Sequence, residues 1–167
     1  MKIITRKSVK LKNNFESIIS NEELVACIKL LPNYKQYVLK NPILVGTNSK
    51  SNLGGAYNHK RKDIRIQKCS EYNSYNISTQ KLVVVTVLIH ELRHSYQNNS
   101  RKDFKKCIKS YRFKNLDRNM ENPLEIDAYS FTSRFMKENK TKINKILHIN
   151  DISWALDNTG CLTYVKD

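Results

Sequence analysis

Val87-Leu88-Ile89-His90-Glu91-Leu92-Arg93-His94 is an apolar run that passes into an H-E-x-x-H motif without a helix-breaking residue. Residues four apart on a helix share one face, so His90 and His94 can present imidazole nitrogens to a single metal ion. Glu91 lies one step round from His90, where it can reach a water held by that ion and act as general base. The motif therefore favours zinc-assisted hydrolysis, most readily of a peptide bond. The rest of the chain has to supply a third ligand and a substrate edge.

The helix that carries the motif is expected over about residues 80–97, capped by Ser78 or Thr79. Upstream, Ile43-Leu44-Val45-Gly46 reads as a short buried strand. Leu53-Gly54-Gly55-Ala56-Tyr57 and Asp63-Ile64-Arg65-Ile66-Gln67 read as two strands joined by a basic turn over 58–62. The stretch 70–78, rich in Asn and Ser, is a loop. The N-terminal third reads as helical: Ser20-Asn21-Glu22-Glu23 is a capping-box pattern followed by Leu24, Ile28 and Leu31 at helical spacing. Pro32 and Pro42 bracket a second helical piece over 34–39. Residues 101–116 read as a helix and connector. Asn122-Pro123 opens a further helix, with Asn as cap and Pro at its first position, ending near Glu138. The tail, 143–165, holds short apolar groups and has no clear pattern.

A stable catalytic zinc site usually takes three protein ligands. Glu125, one turn inside the Asn122-Pro123 helix, is the preferred third, in Glu125-Ile126-Asp127-Ala128-Tyr129-Ser130-Phe131. The small Ala128 shares its face and lets two helices approach, while Phe131 can pack beneath. Asp127 is the rival, but it sits about 200° round the helix from Glu125, so both cannot face one ion. Asp127 then becomes an outer acceptor that orients a neighbouring side chain. His59, in the basic turn, and His148, in an apolar group, are expected at the surface or in packing. Arg93 should point away from the metal into a salt bridge, with Asp127 as partner. Tyr57, Tyr111 and Tyr129 are unranked candidates for stabilising an oxyanion.

Composition narrows the alternatives. With 167 residues and 40% apolar content the chain suits one folded domain spanning 1–167. No apolar run is long enough to cross a bilayer, and the basic start lacks the apolar segment of a signal peptide, so a cytoplasmic location without membrane contact is expected. Cys27, Cys69, Cys107 and Cys161 form no C-x-x-C pair and are expected to be reduced, mostly buried thiols. The net charge of +15 comes from 22 lysines and 8 arginines spread along the chain, with no arginine-rich helix or aromatic platform. A solvated surface is favoured over nucleic-acid binding.

At the two motifs the chain resembles small gluzincin-type metallopeptidases, the minimal zincins of bacteria, phages and mobile elements, including repressor-cleaving enzymes. The likeness covers roughly residues 43–135. It implies an α+β, zincin-like fold: a short mixed or antiparallel sheet packed on an active-site helix and on a second helix bearing a glutamate. It also implies Zn2+ held by His90, His94 and Glu125, Glu91 as the catalytic base, and a protein or peptide substrate. An edge strand before the active-site helix would pair with extended substrate, which maps to Ile64, Arg65 and Ile66 in Asp63–Gln67 or to the neighbouring strand. The chain departs from the pattern in two places. His94 is followed by Ser95-Tyr96-Gln97 rather than a short apolar continuation, and Tyr129 stands where thermolysin-like enzymes carry an Asp. The alternative is a non-catalytic basic protein, binding nucleic acid or protein, with a vestigial or structural metal site.

Overall fold

The structure, a computed structural model, describes residues 9–34, 37, 42–47, 54–67, 74–99, 122–157 and 160–166. In chain order these form β1 (Leu11–Asn13), α1 (Asn21–Lys29), β2 (Ile43–Thr47), β3 (Gly55–Asn58), β4 (Asp63–Gln67), α2 (Ile77–Asn99), α3 (Pro123–Glu138), α4 (Lys140–Leu147), β5 (Ile152–Leu156) and β6 (Leu162–Lys166). The fold is mixed α/β, with four helices and a small mixed sheet among the described residues, compatible with the α+β expectation. None of the described helices is long and apolar enough to cross a membrane.

The main sheet has the order β1-β2-β4-β3, with β1, β2 and β4 parallel and β3 antiparallel to β4. Register places Leu11, Ile43, Ile64 and Tyr57 in one row and Asn13, Val45, Ile66 and Gly55 in another. Side chains of paired residues point to the same face, and this face meets α2. Ile64, Ile66 and Val45 are fully buried there, together with Leu82, Val84, Val85, Leu88, Ile89 and Leu92 of α2. The opposite face carries Lys12, Leu44, Arg65 and Ala56, none of them buried. The layering thus puts α2 between the sheet and α3, with α1 and α4 packed at its N-terminal half.

Local chemistry sets the helix ends. The α1 capping box is complete: Glu23 N–H donates to Ser20 Oγ and Ser20 N–H to the Glu23 carboxylate. Asn122 accepts from Leu124 N–H at 3.0 Å and Pro123 opens α3, which ends at Glu138. α2 begins three residues earlier than the Ser/Thr cap implies, because Asn76 accepts from Thr79 N–H at 2.8 Å and caps it. Ser78 is then free to bond Asp151, and Thr79 turns into the core.

Two further expectations need correcting. The N-terminal third is not wholly helical, since Leu11–Asn13 is a strand parallel to β2. A three-residue edge strand has too little pattern to read locally. Ile64, Arg65 and Ile66 do not form an edge either: β4 is bonded to β2 on one side and β3 on the other. Ile64 and Ile66 lie under α2, and Arg65 points to the far face, 3.6 Å from Asp63. Period-two alternation reports one buried face and looks the same in edge and interior strands. The tail resolves into α4 and the β5–β6 hairpin. The expected helices over 34–39 and 101–116, most of the loop before α2, Cys69, Cys107 and Tyr111 lie wholly or largely outside the described residues. Cys27 is buried and Cys161 exposed, both as free thiols.

Candidate metal centre

α2 and α3 bring His90, His94 and Glu125 together. His90 Nε2 and His94 Nε2 stand 3.1 Å apart; Glu125 Oε2 is 3.1 Å from the first and its Oε1 3.3 Å from the second. Zinc–nitrogen bonds of 2.0–2.1 Å at tetrahedral angles put neighbouring ligand atoms about 3.3 Å apart, so the observed spacing is that of a metal's coordination edge. The group could hold a metal ion, and among the described residues it is the one such cluster of three. The two imidazole side chains are 13% and 15% exposed and Glu125 30%, so the centre is sheltered yet reachable from solvent.

Charge around the three groups is strongly coupled. Burial opposes ionisation of Glu125, but hydrogen bonds from both imidazoles hold its carboxyl well below the usual range. Burial likewise opposes the His94 imidazolium, yet the bond to Glu125 and the charges of Glu91 and Glu125 outweigh it and push His94 up from 6.5 to about 9. A group raised in the folded state stabilises the metal-free fold below its unfolded value, and that stability is lost as pH rises through about 9. A metal must displace this proton. The affinity for a metal ion should therefore fall about tenfold per unit as pH drops below that value, with release of at least about one proton per ion. Calorimetry in buffers of different ionisation enthalpy at pH 7.5 checks it; binding without proton release contradicts it.

Glu91 sits on the neighbouring face of α2, 6% exposed and turned towards β3. Burial raises its pKa, against the lowering influence of His94 and His90, and the backbone N–H of Tyr57 donates to its carboxylate. That contact depends on Gly55. A Cβ there would come within 2.4 Å of Val87 Cγ1 and 3.0 Å of Glu91 Cγ, so only glycine lets β3 lie this close to α2. Gly55→Ala is expected to cost about 1–3 kcal/mol through overpacking and to lift β3 away from Glu91. Urea unfolding measures this, and an unchanged midpoint contradicts it.

β3 is also the strand whose outer edge stands beside the centre. Gln67 N–H bonds Gly54 O, so the antiparallel alternation directs the backbone of Ala56 and Asn58 to β4 and that of Gly55 and Tyr57 outward. The Tyr57 hydroxyl accepts from Asn98 Nδ2 at 2.8 Å, which ties the ring to α2. The Tyr129 ring instead lies 4.5 Å from that of His90. Gly160, with φ +76°, presses on it so closely that a Cβ would sit 2.7 Å from Tyr129 Cδ1.

Asp127 faces away from the three ligand atoms. Arg93 forks onto its two oxygens at 2.7 and 3.0 Å, and Gln97 Nε2 donates to Oδ2 at 2.8 Å. Arg93 also stacks over Tyr96 and Phe131, while Ala128 is fully buried where α2 and α3 meet. His59 and His148 are exposed and stand apart from the cluster.

Gly55, Gln97 and the Tyr57 amide are parts of the centre that lie outside the H-E-x-x-H and E-x-x-A-x-x-F motifs. Gln97 had a signal, three residues beyond His94 on the same helix face. Gly55 had one too, as a glycine inside a strand. Comparison with protein-family models, curated proteins and solved structures returned no match.

Proposed function

We propose that this chain is a small zinc-dependent peptidase of zincin-like architecture, with His90, His94 and Glu125 as ligands and Glu91 as general base. The reading is carried by two imidazole Nε2 atoms and a carboxylate converging at ligand spacing, with a second, buried carboxylate one helix step away. Zinc held there would supply Lewis acidity, polarising a peptide carbonyl and bringing the pKa of water towards about 7.

Glu91 takes a proton from the attacking water and passes it to the departing amine. Its burial favours the protonated form and so raises its basicity, while Tyr57 N–H fixes the orientation of the carboxylate. Of Tyr57 and Tyr129, the two candidate tyrosines among the described residues, Tyr129 is the one whose ring borders a ligand histidine, and we assign it to the developing oxyanion. Extended substrate adds alongside β3, where Gly55 turns its backbone outward, rather than alongside β4.

The direct test is incubation of the zinc-loaded protein with a proteome-derived peptide library, with new termini read by mass spectrometry. Chelator-sensitive cleavage is expected. Stoichiometric zinc without any cleavage would contradict the peptidase reading while leaving a metal site.

A further inference from the structure

We infer that Gln97 is a positioning residue that sets both halves of the centre at once: it fixes the tautomer of His94 and clamps the turn of α3 that carries Glu125. The inference rests on the metal site proposed above and goes beyond its ligand set.

The amide orientation follows from its partners. Gln97 Nε2 has two acceptors, Leu124 O at 2.9 Å and Asp127 Oδ2 at 2.8 Å, and neither can donate. The NH2 group must therefore face α3, which leaves Oε1 facing His94 Nδ1 at 2.8 Å. Oε1 only accepts, so His94 carries its proton on Nδ1 and turns a lone pair at Nε2 towards the centre whenever a metal is bound. Leu124 and Asp127 flank Glu125 on the first turns of α3, so the same amide holds the backbone before the third ligand and a side chain after it. Asp127 is held in turn by Arg93, which is fixed by its fork and by the Phe131 and Tyr96 rings. Gln97 is 5% exposed, so bulk water does not compete for these bonds. A carboxylate placed directly on a ligand histidine would do only half of this, because it cannot donate to Leu124 O.

The test compares zinc affinity, by chelator competition, in wild type, Gln97→Leu and the double variant Gln97→Glu/Asp127→Asn. The double variant reverses donor and acceptor between positions 97 and 127 while keeping an acceptor for His94 Nδ1–H and one for Arg93. Gln97→Leu is expected to weaken zinc binding about 10–100-fold, and the double variant, which restores the acceptor for His94 but not the bond to Leu124 O, to recover only part of that loss. Long-range 1H–15N spectra of zinc-loaded protein should show His94 as the Nδ1–H tautomer in wild type and the double variant. A purely structural role for Gln97 would leave the double variant as weak as Gln97→Leu. Unchanged affinity in Gln97→Leu, or an Nε2–H tautomer in wild type, overturns the inference alone. Failure of wild type to bind zinc overturns the site reading and the inference with it.

Discussion

Glu91→Gln is expected to retain zinc at one ion per chain and to lower peptide hydrolysis by about 10²–10⁴-fold, the usual contribution of a positioned general base. Glutamine is nearly isosteric, so it can keep the Tyr57 N–H bond and the tight seat beside Gly55 and Val87. What it loses is the capacity to accept a proton. Removing a buried negative charge also relieves desolvation, so the fold should not suffer. Zinc analysis, thermal unfolding and turnover of a peptide substrate on the same preparation separate these effects. Retained zinc with undiminished turnover would place the chemistry elsewhere, and loss of zinc would show Glu91 acting as a ligand.

Glu125→Ala is expected to cut zinc affinity by more than the about 10–100-fold that losing an outer partner costs, because two imidazoles remain where three ligands are needed. Asp127→Ala should still bind one zinc, weakened within that range through Gln97. The contrast follows from where the two carboxylates point. Glu125 meets both Nε2 atoms, whereas both Asp127 oxygens are engaged by Arg93 and Gln97. Metal content and chelator competition on the two variants decide it. Zinc lost only on replacing Asp127 would reverse the ligand assignment.

The two helices that form the centre were legible because their signals are local. Four-residue spacing defines the face of His90 and His94, and Asn122-Pro123 marks the start of α3 within one turn of Glu125. The Arg93–Asp127 pair was foreseeable for the same reason: each residue lies one face away from its ligand neighbour. What stayed hidden depends on non-local pairing. Nothing in Asp63–Gln67 tells an interior strand from an edge strand, since both alternate. The distinction comes from β2, which is distant in sequence and bonds the side of β4 that would have received substrate. β1 is similarly defined only by its partner. Gln97 and Gly55 take their meaning from contacts with α3 and α2 that appear once the layers are stacked.

X-ray absorption at the zinc edge of the reconstituted protein tests the central claim most directly. A first shell of nitrogen and oxygen at about 2.0–2.1 Å is predicted, with the outer-shell scattering of two imidazoles and no sulfur. A sulfur shell at about 2.3 Å, fewer than two imidazoles, or the same spectrum from a His90→Ala/His94→Ala variant would contradict it.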